Sequence, residues 1–221
     1  MAKNKKGTYK SPNIQYYQSR GDFNIAVGED FIHAINDLSS NEQHFLVGLS
    51  HGQSPSGAYN YILENYHRIN RPEILRYTFV NSPLKRQRDL KAVMDAKSFL
   101  IALLDQKLLK KENILGSAIS IPDVHEYAQA FNERLREYMK KYKKIGLDYV
   151  FVATNPEGHV AGISRKSEIF DSKNIIEIVH DRKQLEVTVT PYFLNLSKRI
   201  AFLATKADKR RALAWLLDQN G

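Results

Sequence analysis

At 221 residues, 43% of them hydrophobic, the chain is long enough for one sizeable core, so a single domain is expected over residues 21–221 behind a basic tail of residues 1–20. The absence of cysteine excludes disulfides, thiolate catalysis and cysteine-bound metal, and it agrees with a reducing, cytoplasmic setting. A formal charge of +9 favours anionic partners, whereas no secretion-type or membrane-spanning apolar run is visible, which argues against membrane roles.

In chain order, residues 24–27 read as a short strand and residues 29–38 as a helix with Phe31, Ile32, Ile35 and Leu38 on one face. Residues 44–49 hold the apolar run Phe45-Leu46-Val47-Gly48-Leu49, the mark of a strand covered on both faces. A tight turn follows at residues 50–55, and Ala58, Tyr59, Ile62 and Leu63 then repeat at helical spacing. Residues 77–80 read as strand, 96–104 and 124–142 as helices, and 149–153 as another buried strand. Residues 175–179, 186–190 and 200–204 read as further strands, and residues 208–217 as a closing amphipathic helix. Such alternation predicts an α/β fold with a doubly wound, mostly parallel sheet and helices on both faces. Ligands of such folds bind where the loops beyond the strands' carboxyl ends converge.

Three of those loops could carry chemistry. His51-Gly52-Gln53-Ser54-Pro55 supplies a glycine for close approach and a hydroxyl at a helix start, where unpaired backbone N–H groups stabilise an anion. The plainer alternative is that Gly52 makes a turn and Ser54 or Ser56 caps the helix. Asn155-Pro156-Glu157-Gly158-His159 displays a carboxylate and an imidazole two residues apart around a glycine. A histidine exchanges a proton near neutral pH, and a nearby carboxylate can orient it. Thr205-Lys206-Ala207-Asp208-Lys209 puts ammonium groups at another helix start, where lysine opposes the helix dipole unless an anion is close. The basic runs at residues 85–88, 110–111 and 140–144 read as solvated faces rather than a nucleic-acid surface. The histidines show no metal-ligand spacing, so no metal is expected.

Taken together, these segments resemble the superfamily of 6-phosphogluconolactonases and glucosamine-6-phosphate deaminases. Residues 47–55 resemble its strand and Gly-rich phosphate turn. Residues 148–161 resemble its strand followed by Gly-Pro-Asp-Gly-His-x-Ala, and residues 187–190 with 200–209 resemble its Val-Thr-Leu-Thr strand and its strand-to-lysine turn. The resemblance implies a Rossmann-like fold, a phosphorylated sugar as substrate and no cofactor. It also implies His159 as the catalytic histidine with Glu157 where the family has aspartate. Phosphate would be held by His51, Gly52, Gln53 and Ser54 in the turn and by Lys209. Lactone hydrolysis is the reaction expected, with deamination or a sugar-phosphate binder without turnover as alternatives.

The chain departs from the family at several positions. Asn81, Ser82 and Pro83 stand where it has an acidic pair, Ser164 where the deaminases have a second acid, and Glu186 where an arginine is usual, so a phosphate there would be repelled. His51 replaces a small residue, and it either supplies positive charge to offset Glu186 or fills space.

Overall fold

The computed structural model of the protein describes residues 13–38, 42–83, 95–116, 123–181 and 184–217, with residues 82, 83, 181, 184 and 215–217 described by backbone alone. The basic run at 85–88 therefore lies outside the described residues.

The first element is a helix rather than a strand-then-helix pair. Helix α1 spans Arg20–Asn36, and Ser19 caps it, its hydroxyl accepting the Asp22 N–H at 3.0 Å. Phe23, Val27, Phe31 and Ile35 recur every four residues on the face turned to the core. The alternating look of residues 24–27 is local, and Ile25 points outward at 47% exposure. Capping and the four-residue period over 17 residues override a four-residue strand signal.

The main sheet is parallel and five-stranded. Strand β1 (Phe45–Leu49) is followed by helix α2 (Gln53–Glu64), β2 (Leu75–Phe79), β3 (Asn81–Pro83), α3 (Ala96–Asp105), β4 (Ile114–Leu115), α4 (Val124–Lys141) and β5 (Tyr149–Ala153). Next come β6 (Ile176–Asp181), β7 (Gln184–Val189), the short α5 (Pro191–Asn195), β8 (Arg199–Leu203) and α6 (Arg210–Leu217). The main sheet runs β4-β2-β1-β5-β8. A single 3-10 turn at Ala207–Lys209 precedes α6.

Side chains alternate across the sheet with period two. Phe45, Val47, Leu49, Tyr77, Tyr149 and Phe151 pack under α1, α2 and α3 on one face, while Leu46, Val150 and Val152 pack against α4 on the other. A Cβ at Gly48 would meet Leu147 at 2.9 Å, so the central strand needs glycine to let the second layer close.

Two of the expected strands leave the main sheet. β6 and β7 form an antiparallel hairpin that joins β3 in a separate three-stranded sheet, in the order β3-β7-β6. Val179, Val187 and Val189 from this second sheet share the buried layer with Phe131 and Leu135 of α4. The strands were visible locally, but their pairing depends on β3, about a hundred residues earlier.

At the amino ends of the main strands, Asp148 is buried with a 1% exposed side chain. It accepts the Leu46 N–H at 2.8 Å and pairs with Lys144 at 2.6 Å and Lys198 at 2.8 Å, and Glu42 lies 3.8 and 3.5 Å from the same two lysines. Lys144 thus belongs to a buried network, unlike exposed Lys140, Lys141 and Lys143 beside it. Among the described residues, no helix is long and apolar enough to cross a membrane.

Candidate active site

The order of the main sheet reverses beside β1: the chain moves to β2 on one side and later returns to β5 on the other. Loops leaving neighbouring strands in opposite directions open a crevice at the carboxyl ends. A cavity of about 310 Å³ lies there, lined by the segments after β1, β5 and β8 together with Asn81, Ala161, Gly162 and Glu186.

The turn after β1 is tied down from two sides. The Tyr59 hydroxyl donates to the Ser50 carbonyl at 2.9 Å, and the Ala153 N–H reaches the Ser50 hydroxyl at 3.4 Å. Gly52 sits at φ +110° directly before α2. A Cβ there would touch nothing within 4 Å, so the backbone angle, and not space, calls for glycine. No side chain at that position caps α2, so Ser54 does not play that part, and the Ser56 hydroxyl donates instead to the Gln53 carbonyl at 2.9 Å. The start of α2 at the cavity wall thus carries no side-chain cap, and the N–H groups of a helix's first turn have no partner within the helix.

His51, Gly52 and Gln53 all line the cavity, whereas Ser54 lies fully buried beneath them. Its hydroxyl accepts from the Lys209 ammonium at 2.7 Å and lies 3.2 Å from the Thr205 hydroxyl. Ser54 therefore holds the lysine. Lys209 itself lines the cavity at 9% exposure, and burial lowers its pKa, with Lys206 and Arg20 adding to the effect and Asp208 opposing it. His51 stacks on Phe79 with ring centres 5.2 Å apart and sits 3.9 Å from Asp95. Burial pushes its pKa down despite Asp95, so the ring favours its neutral form at pH 7 and fills the wall rather than charging it.

The loop after β5 is held by its own backbone. The Gly158 N–H donates to the Asn155 carbonyl at 3.1 Å, the His159 N–H to the Asn155 side chain at 2.8 Å, and the Asn155 N–H to the His159 carbonyl at 3.1 Å. Gly158 takes φ +83° to close this turn, which presents His159 to the cavity. Glu157 is exposed on the turn and does not line the cavity. A two-residue hairpin follows: Val160 and Ile163 exchange both backbone hydrogen bonds around Ala161 and Gly162, at φ +55° and +73°. The Thr188 hydroxyl of β7 donates to the Ala161 carbonyl at 2.7 Å and pins this hairpin to the second sheet.

Two contacts escape a reading of the sequence. Arg20, at the start of α1, donates to the Gln53 carbonyl and lies 3.4 Å from the Ser56 hydroxyl, which brings a second cation, besides Lys209, to the start of α2. Glu186 lines the cavity and accepts from the Asn81 side-chain amide at 2.9 Å. The Ser19 cap marks where α1 begins, but no local signal says that Arg20 reaches across to α2. Among the described residues, no group of three or more His, Asp or Glu side chains is placed to hold a metal ion.

With this geometry in view, comparison with known proteins is informative. The model of the family of glucosamine-6-phosphate isomerases and 6-phosphogluconolactonases matches residues 18–221. The chain belongs to this family. No curated protein matches it in sequence. Among solved structures, a 6-phosphogluconolactonase from Trypanosoma cruzi superposes with a TM-score of 0.77 at 17% identity, over 96% of this chain and 86% of that one. A 6-phosphogluconolactonase from Thermotoga maritima gives 0.72 at 18% identity, over 88% and 85%. A monomeric glucosamine-6-phosphate deaminase gives 0.68 at 14%, over 93% and 87%. At such identities the superpositions carry the fold, a parallel α/β sheet with helices on both faces.

Proposed function

We propose that this member of the family hydrolyses a phosphorylated sugar lactone, with His159 as general base. What supports the reading is that His159 opens onto the same cavity as the uncapped start of α2 and the buried ammonium of Lys209. An anion at the helix start leaves the rest of the ligand beside the imidazole. There, His159 takes a proton from water as the water oxygen attacks the lactone carbonyl. The intermediate then collapses by breaking the bond between the carbonyl carbon and the ring oxygen, which recovers that proton and leaves the open-chain acid. Gly52, Gln53 and His51 form the wall against which the phosphate rests, with Ser54 fixing Lys209 from below. Glu157 acts from the solvent side of the His159 turn, where a carboxylate can orient the imidazole.

The test is the loss of 6-phosphogluconolactone followed against the buffer rate. Protein faster than buffer, with His159→Gln slower by about 10²-fold or more, is the expected result. A purified protein no faster than buffer ends the lactonase reading. The presence of Asn81, where the family has an acid, favours one second reading, a sugar-phosphate binder without turnover. Thermal stabilisation by sugar phosphates with no turnover identifies it.

A further inference from the structure

His51 meets a carboxylate that is distant in sequence. Strands β1 and β2 run in register, with Leu49 beside Phe79, so the residue two positions beyond β1 comes to lie over the end of β2. The imidazole stacks on the Phe79 ring at an interplanar angle of 17°, and Tyr59 and Ala153 hold the preceding Ser50. Asp95 completes the arrangement. It caps α3, its Oδ1 accepting the Ser98 N–H at 2.8 Å, while its Oδ2 faces His51 Nδ1 at 3.9 Å. The turn after β1 thus sets the backbone of His51, β2 sets the plane of its ring, and the start of α3 faces its Nδ1 edge.

At 3.9 Å the carboxylate is beyond hydrogen-bond reach, yet its charge still acts on the ring. A neutral imidazole keeps one proton, and a negative charge beside Nδ1 favours placing it there. Burial holds the ring neutral against the pull of Asp95, and Lys97 adds to it. Nε2 then carries a lone pair, on the side of the five-membered ring turned away from Nδ1. Among the described residues, none donates a hydrogen bond to it. His51 lines the cavity and directly precedes Gly52, the residue before α2. A bare acceptor at that place suits a donor, and the donors of a sugar phosphate are its hydroxyls, since a phosphate dianion has no proton to offer.

Resting on the reading of this cavity as a sugar-phosphate site, we infer that His51, set in its Nδ1–H tautomer by Asp95, is a specificity-determining residue whose Nε2 accepts a hydrogen bond from a ligand hydroxyl. Asp95 is the positioning residue behind it. The histidine that stands where the family has a small residue thus reads the sugar and not the phosphate.

Long-range proton–nitrogen NMR of the full chain reads the tautomer, with His51→Gln assigning the signals. Nδ1–H should predominate in the parent protein, and Asp95→Asn, which keeps a side chain suited to cap α3, should raise the share of Nε2–H. Calorimetric titration with glucose 6-phosphate and with ethyl phosphate, which carries no hydroxyl, reads the contact, with folding checked by circular dichroism. His51→Phe keeps a ring to stack on Phe79 but has no acceptor. It should weaken glucose 6-phosphate binding about three- to tenfold and leave ethyl phosphate unchanged, with His51→Gln, whose amide carbonyl accepts, lying between it and the parent. Asp95→Asn should weaken glucose 6-phosphate about two- to threefold. Nε2–H as the main tautomer of the parent protein, or unchanged glucose 6-phosphate affinity in a folded His51→Phe protein, overturns the inference while leaving the sugar-phosphate site standing. An equal loss for ethyl phosphate also overturns it, because it assigns His51 to the phosphate. Failure of both phosphates to bind the parent protein removes the site reading itself, and this inference with it.

Discussion

At the amino ends of the strands, Asp148 is buried among two lysines, a backbone amide and, through those lysines, Glu42. At the carboxyl ends, Lys209 is buried against the hydroxyl of Ser54, and Glu186 is held by the amide of Asn81. The same residue types are thus used in two ways. Opposite charges neutralise one another at the first end, which ties β1, β5 and the entry to β8 together. At the second, the Lys209 ammonium rests on a neutral hydroxyl rather than on a carboxylate. A desolvated ammonium that keeps its charge beside hydroxyls carries a folding cost, and an arriving phosphate offsets it.

The contrast can be broken most forcefully at Asp148. Asp148→Ala leaves Lys144, with an 8% exposed side chain, deprived of its closest acid. A loss of about 3–5 kcal/mol is expected in urea unfolding, and a loss below about 1 kcal/mol would mean that water already screens the cluster. Lys209→Met should do the reverse. It removes a charge-assisted contact worth about 1.5–3 kcal/mol, so glucose 6-phosphate affinity should fall by roughly 10- to 100-fold, while thermal stability stays level or rises. Equal losses of stability at both positions would erase the distinction between the two ends.

Smaller effects sharpen it. Arg20 is exposed, so Arg20→Ala should weaken sugar-phosphate binding only about two- to fivefold at low salt, and the difference should vanish as salt is raised. A pH scan of the melting temperature probes both ends together, because burial lowers the pKa of His44, near the amino ends, and of His51, in the cavity wall. The unfolded chain takes up protons below about 6.5 that these rings resist in the folded state, so stability should decline as pH falls through that value. His44→Gln and His51→Gln should each flatten the slope, and addition of glucose 6-phosphate should leave the His44 share untouched.

Much of the cavity end was legible in the sequence because its signals are local. The buried run before Ser50 and the run before Thr154 each occupy one strand, and each is followed within a few residues by a glycine with positive φ, Gly52 and Gly158. His159, His51, Gly52, Gln53 and Lys209 consequently meet at one cavity, as their loop positions implied. Residues 24–27 misled because a short alternation outweighed the longer period of Phe23, Val27, Phe31 and Ile35. Glu186 was read only as a charge hostile to phosphate, since its meaning depends on Asn81.

By itself, then, the sequence determined the alternation of buried strands and amphipathic helices, the glycine-bearing turns and the chemistry displayed on each, because hydrophobic period and backbone angle are properties of a few consecutive residues. Only the tertiary structure decided which of those groups face one another. Lys209 meets Ser54 across 155 residues, and Asn81 meets Glu186 across 105. Strand order and the pairing of β3 with β7 bring them together, and neither is encoded in any local pattern. The gathering of these groups around one cavity is a consequence of that order.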